Sequence, residues 1–278
     1  MPEVRSPTLR RRELGVLLRS RRLQLGLTVE QVAEHLECSP SKISRMETGH
    51  RGVTPRDVRD LCDLYEITDQ AGRDKLVALA RESRQSAWWQ SYDLPYSMYV
   101  GLEAEATAIG DFQSSVVPGL LQTPDYARAG HLGAFPVLSP EEIDRRIEAK
   151  LTRQQLLIRS GGPALSAVLD EAVLHRLTGG TTVMYAQLSK LLEVTKLSNI
   201  TIQVIPFTVG AHPGVESNFS ILELPPPSPG VVFVEGLVGS IYLEKPDDLD
   251  RYQKIFARLK EIALSPQDSI GLIARLRG

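Results

Sequence analysis

In the stretch "SPSKISRMETG", residues 39–49, Ser41, Lys42, Ser44 and Arg45 fall on one side of a short helical turn and Ile43 falls on the other. Two hydroxyls, an ammonium and a guanidinium facing outward together form a donor set suited to phosphate oxygens and to the acceptor edges of bases. Such a set works only if a small, rigid frame aims it.

The surrounding sequence supplies that frame. Ahead of the stretch, "LTVEQVAEHLEC" reads as a second short helix ending near Leu36, with Thr28 and Gln31 spaced as a capping box and the small Ala33 where two helices approach. Ser39-Pro40 provides an N-cap and a first-turn proline for the helix over 40–48, and Gly49 ends it. Thr54-Pro55 repeats the start signal for a helix over 55–65, with Val58, Leu61, Leu64 and Tyr65 inward. Leu14, Leu17, Leu18 and Leu25 give helical spacing to 9–24, among many arginines, and a fifth helix is expected over 69–84. Two short helices joined by a tight turn and buttressed by neighbours are a helix-turn-helix arrangement. Its second helix is short because it enters the DNA major groove, about 12 Å wide.

Charge agrees with this placement. Residues 1–60 carry 12 Lys+Arg against 8 Asp+Glu, a balance of +4, which leaves −6 for the rest of a chain whose total is −2. Phosphate attraction acts locally, so a mildly basic head on an acidic body matters more than the total. No apolar run approaches the roughly 18–20 residues of a membrane span. Cys38 and Cys62 form no C-x-x-C pair and suggest neither a disulfide framework nor a zinc site. A soluble, cytoplasmic protein without cofactor or metal is expected.

Over "LTVEQVAEHLECSPSKISRMETGHRGVTPRDVRDLCDLYEI", residues 27–67, the chain resembles the XRE, or lambda-repressor-like, DNA-binding domain. The resemblance implies that Ser41, Ser44 and Arg45 face bases, with Arg45 placed for guanine O6 and N7, and that Lys42 faces DNA at the phosphates. It makes Glu47 a structural acid near the helix end. Where relatives often carry glutamine just inside the second helix this chain has Val29. Thr28, the Gln31 side chain, backbone amides and, after the helix, Arg51 are the alternatives for that phosphate contact. Regulators of this architecture pair half-sites about 34–36 Å apart, so a homodimer on a palindromic operator of double-stranded DNA is expected.

Beyond residue 84 the texture changes. "SAWWQSYDLPYSMYV" is aromatic and irregular, and 85–99 is expected as a linker between a head over 1–84 and a body over 100–278. Trp88 and Trp89 fit a packed linker, a hinge that docks the head, or a contact patch. Helical patterns follow over 100–109, 123–132 and 139–159, the last with Ile143, Ile147, Leu151 and Leu157 against a charged face. A short strand over 164–169, a helical turn over 171–177 and a helix over 183–197 come next. Four strand-like runs, "NITIQVIPF", "NFSILEL", "VVFVEG" and "SIYLEK", have turn-rich connections that predict antiparallel neighbours, with "LPPPSPG" a rigid connector. Helices over 246–264 and 266–276 close the chain. The fold expected is an all-α helix-turn-helix head followed by a larger α+β domain with an antiparallel sheet.

The body shows no G-x-S-x-G, H-E-x-x-H, P-loop or dinucleotide glycine pattern. His131, His175 and His212 are far apart in sequence. Glu171 and His175 share a helix face, and "VGAHPGVESNF" carries His212 and Glu216 at a loop tip. His175, His212 and Glu216 are the candidates for a ligand or partner site; a surface ion pair and a plain hairpin connection are the structural alternatives. Segments such as "FQSSVVPGLLQTPDYARA", "RRIEAKLTRQQLLIR", "LSAVLDEAVLHR" and "RYQKIFARLKEIALSPQDS" resemble the C-terminal domain of WhiJ-like regulators of actinobacteria. That resemblance implies a transcriptional regulator, modulated by a small protein encoded nearby in an antitoxin-like manner, with no catalytic residues to carry over. The function expected is a DNA-binding repressor whose body dimerises and receives a signal. An antitoxin-like interaction protein, or an enzyme with a DNA-binding head, are the alternatives.

Overall fold

The computed structural model describes residues 6–226, 228–237 and 239–278. Residues 1–5 of the expected head and residue 227 of the 224–230 connector lie outside these. The chain divides into two compact units, the first made of residues up to Glu105 together with the Pro225–Ser228 segment and the second of Ala106–Leu224 and Pro229–Gly278.

The first unit is all helical: α1 (Pro7–Gln24), α2 (Val29–His35), α3 (Pro40–Glu47), α4 (Pro55–Leu64), α5 (Gln70–Glu82) and α6 (Ser97–Glu103). Leu14, Leu18, Val32, Ala33, Ile43, Met46, Val58, Leu61, Tyr65 and Leu79 form one buried cluster. Each short helix contributes only two or three buried side chains to it, so the frame is stable through mutual packing. The stretch expected as a linker is instead structured within this unit. It contains a 3-10 turn over Trp88–Tyr92, and Trp89, Leu94 and Tyr99 are buried. Helix α6 is tied to α1 through Ser6, whose hydroxyl donates to the Gly101 carbonyl at 2.9 Å while its backbone N–H donates to Glu105 at 2.7 Å.

The second unit is built on a six-stranded sheet in the order β3-β2-β1-β4-β5-β6. The strands are β1 (Ala108–Gln113), β2 (Ala164–Asp170), β3 (Ile200–Ile205), β4 (Phe219–Glu223), β5 (Val231–Gly236) and β6 (Gly239–Leu243). The antiparallel neighbours are β1·β4, β4·β5 and β5·β6, whereas β1·β2 and β2·β3 are parallel, so the sheet is mixed. The parallel half follows from its connections. Helices α7 (Pro124–Leu132) and α8 (Pro140–Ile158) separate β1 from β2; α9 (Ala172–His175) and α10 (Thr181–Val194) separate β2 from β3. Crossovers of that length return the chain in the same direction.

Residues 100–109, read from spacing as one helix, are the end of α6 and the beginning of β1. In β1 the register sets Ala108, Gly110 and Phe112 on one face, beside Ser166 and Val168 of β2 and Phe219 and Ile221 of β4. Helix α11 (Pro246–Ile262) covers that face with Phe256 and Leu259. A Cβ on Gly110 would lie 2.9 Å from the Phe256 ring, so only glycine admits the ring there. On the other face Ile109, Leu165, Ala167, Leu169, Ile202 and Val204 are buried as well, as a parallel sheet requires. Helix α12 (Pro266–Arg277) lies against the β3 edge, where the Val204 N–H donates to Ser269 Oγ at 2.9 Å and the Leu264 N–H to the Val204 carbonyl at 2.8 Å. In α8, Ile143, Ile147 and Leu157 are buried as expected, but Leu151 is 39% exposed and Arg153 is buried instead.

Candidate nucleic-acid interface

The turn between α2 and α3 is fixed at both sides by hydrogen bonds readable from residue type. The Thr28 hydroxyl accepts from the Gln31 N–H at 3.2 Å and the Gln31 side-chain oxygen accepts from the Thr28 N–H at 2.8 Å, which closes the capping box. Helix α2 ends in a Schellman motif: the Cys38 N–H reaches the Ala33 carbonyl at 2.8 Å and the Glu37 N–H reaches Glu34 at 3.1 Å. This places Glu37 at φ +48°, where glycine is the usual occupant. Ser39 then caps α3 through the Lys42 N–H at 3.2 Å, and Pro40 fills its first position.

Helix α3 is anchored by its inner side. Ile43, Met46 and Glu47 are buried. The Arg22 guanidinium in α1 donates through Nε and Nη2 to the two Glu47 oxygens at 2.6 and 2.9 Å, and through Nη1 to the Leu27 carbonyl at 2.8 Å. Hydrogen bonding to Glu47 raises the Arg22 pKa above its ordinary value, against the opposing effect of burial. Gly49 then takes φ +74°, and a Cβ there would sit 2.7 Å from Arg12 Cγ. A glycine is needed for both reasons.

The opposite side of α3 is open. Ser41, Ser44 and Arg45 are exposed. Arg45 Nε donates to the Ser41 carbonyl at 3.3 Å, which ties the exposed side chain to the preceding turn of the helix. Lys42 is half-buried, 3.6 Å from an Asp57 carboxylate oxygen in α4. Thr28 and Gln31 are exposed at the start of α2; the Gln31 amide nitrogen takes no part in the capping box and the Thr28 hydroxyl keeps its proton to donate. Arg51 is exposed and its backbone N–H donates to the Arg45 carbonyl at 2.9 Å, which fixes it beside the end of α3. Sequence reading missed Asp57 as the partner of Lys42 and Arg22 as the partner of Glu47. Both pairs join residues on different helices and leave no local signal.

In the second unit, His175 and His212 gather at the C-terminal end of β2 on two consecutive acids. His212 Nδ1 accepts the Gly214 N–H at 3.2 Å, so its Nε2–H donates to Asp170 at 3.1 Å. The ring stands edge-on to Phe112 and its side chain is 3% exposed, so this histidine holds the 210–218 loop to the sheet. His175 pairs with Glu171 at 3.2 Å on the surface, and the other Glu171 oxygen accepts the Phe207 N–H at 2.8 Å. Glu216 is exposed on the loop. Cys38 and Cys62 are free thiols, and burial pushes Cys62 up. Among the described residues no group of three or more His, Cys, Asp or Glu is placed to hold a metal ion, and no helix is long and apolar enough to cross a membrane.

Residues 13–76 match the model of a helix-turn-helix domain, which spans the frame from α1 to α5 and supports a DNA-binding regulator. No curated protein and no solved structure matches the chain. Residues 96–275 match a domain of unknown function, DUF5753, over more than half of the sequence, and the chain belongs to that family, here behind a helix-turn-helix head.

Proposed function

We propose that the protein is a sequence-specific transcriptional repressor of the cytoplasm that binds a palindromic operator as a homodimer, with a body that receives a modulating ligand or partner. The observation that carries this reading is the division of α3 into a clamped inner side, Ile43, Met46 and Glu47, and an open outer side, Ser41, Ser44 and Arg45. A helix held this firmly and presenting donors outward is suited to reading base edges. Arg45, whose guanidinium matches guanine O6 and N7, carries sequence preference; Ser41 and Ser44 add to it. Thr28, Gln31, Lys42 and Arg51 flank the helix and serve phosphates. They position the head without reading sequence.

Release from DNA follows from differential binding. A ligand or partner near His175, His212 and Glu216 lowers operator affinity only by its preference for the arrangement that cannot bind DNA, commonly about 1–3 kcal/mol. The test is footprinting of the full chain on its own upstream DNA, titrated in salt, beside Arg45→Ala. A two-fold protected site that the variant loses supports the reading. Equal protection by both proteins, or none at low salt, overturns it.

A further inference from the structure

We infer that the second unit carries a self-association surface on the face formed by the α7–α8 loop, the segment that opens α10 and the turn after β3, and that its occupant is the same face of a second copy of this chain. Six large apolar side chains are more than half exposed there: Leu132 at 66%, Phe135 at 94%, Val137 at 81%, Leu177 at 64%, Tyr185 at 54% and Phe207 at 57%. The three segments that carry them are linked by contacts within the unit. The Phe207 ring lies 5.4 Å from His175, two residues before Leu177. Gly179 packs on α7, where a Cβ would fall 2.9 Å from Ala129 Cβ, one helical turn before Leu132.

The charge pattern selects the kind of occupant. The segments 129–140, 177–189 and 197–215 contain no Asp, Glu, Lys or Arg, in a chain that is 24% charged, so charge is confined to their borders, as at Arg128, Glu141, Arg176 and Lys190. Nucleic acid needs a cluster of cations, and this face carries them only at its borders, so it does not serve it. A two-fold axis lays the same patch against itself, which brings like charges together wherever the patch is charged at the axis. A patch with an apolar interior and aromatic anchors, charged only at its rim, meets its own copy without that repulsion at the axis. Six such side chains expose on the order of several hundred Å², beyond scattered surface apolar residues and comparable to the roughly 800 Å² that each partner buries in a standard interface.

The sheet edges do not offer an equal alternative. The β3 edge is occupied by Leu264 and Ser269. At the β5–β6 hairpin Leu237, in the turn, and Ile241, on the edge strand β6, are exposed, but no aromatic side chain is among the exposed residues there. The inference deepens the proposed function by naming the surface that pairs two heads, and it rests on that reading only for its purpose.

The test is sedimentation equilibrium of the full chain, with Phe135→Glu, Leu177→Glu and, in the β5–β6 turn, Leu237→Glu. Wild type is expected to be a dimer at micromolar concentration. Phe135→Glu and Leu177→Glu each raise the dimer dissociation constant about 30-fold or more, as loss of a central anchor does, while Leu237→Glu leaves it unchanged. All three positions are exposed, so circular dichroism should match wild type; Val137→Glu replaces either variant that fails to fold. A wild type that stays monomeric at about 100 μM, far above a dissociation constant typical of specific pairing, overturns the inference and leaves the face to another protein. A dimer that survives both substitutions overturns it too. Binding of a single operator half-site, with and without Arg45→Ala, separates the two failures: it reports on the head alone and is unaffected by where, or whether, two bodies meet.

Discussion

Arg22 in α1 and Glu47 at the end of α3 form a two-pronged ion pair, at 2.6 and 2.9 Å, with both side chains below a tenth exposed. The pair fixes the far end of α3 to α1, the longest helix of the first unit. Removing one partner leaves a buried charge without its counter-ion, a change that costs about 3–5 kcal/mol. Glu47→Ala should therefore lower the melting temperature of the head and weaken DNA binding with it, although Glu47 faces away from the open side. Calorimetry of the full chain beside an operator titration checks this. Normal stability in the variant would mean that the pair is dispensable.

Glu37 and Glu66 close Schellman motifs at φ +48° and +52°, in the position that Gly26 fills after α1. A left-handed non-glycine residue carries a strain of about 1–2 kcal/mol, and glycine relieves it at the cost of greater freedom in the unfolded chain. Glu37→Gly should thus be neutral or stabilising by up to about 1 kcal/mol. Glu37→Val, β-branched, should destabilise by more than that. Chemical denaturation of the pair of variants decides, and destabilisation by glycine would contradict the strain argument.

Lys42 shares its charge with Asp57, which lies in the first turn of α4 and whose backbone N–H is capped by Thr54 at 3.0 Å. Asp57→Asn removes the competing acid. If Lys42 meets phosphate, affinity for all sequences should rise and the slope of log K against log salt should steepen by up to about 0.9. The loss of a favourable charge at the start of α4 should lower stability by about 0.3–1 kcal/mol. An unchanged slope would show that Lys42 is held by the fold and does not reach DNA.

These residues also show what the sequence can disclose. The caps at Thr28, Ser39 and Thr54 are local, each written in a residue and its partner three positions on, and so the limits of α2, α3 and α4 were legible within a residue or two. The outward side of α3 was legible from helical periodicity. Strand β1 was not, because Gly110 and Asp111 are poor strand formers that make sense only once Phe256, far along the chain, packs against the strand. Parallel pairing was signalled in part by the strand-helix-strand order over 164–205, yet short connections elsewhere pointed to an antiparallel sheet. Leu151 followed the helical period but lies outside the buried arc, where Arg153 took a place that periodicity assigns to apolar residues.

His131, in the last turn of α7, provides a pH signature for the second unit. Burial, with Lys150 and Arg146 close by and only Glu142 opposing them, pushes its pKa down to about 4, and its Nε2 has no hydrogen-bond partner. The unfolded chain therefore binds this proton more readily than the folded one. Stability contributed by neutral His131 is present above the ordinary value of 6.5 and is lost as pH falls from there towards 4. After discounting for partial solvent access, the loss should be on the order of 1–2 kcal/mol. His131→Gln, which cannot take up a proton, should flatten that part of the profile. Denaturation of both proteins at pH 7 and pH 4.5 measures the difference, which isolates His131 from the carboxylates that titrate in the same range. Parallel profiles would show that the ring is already protonated, or solvated, in the folded state.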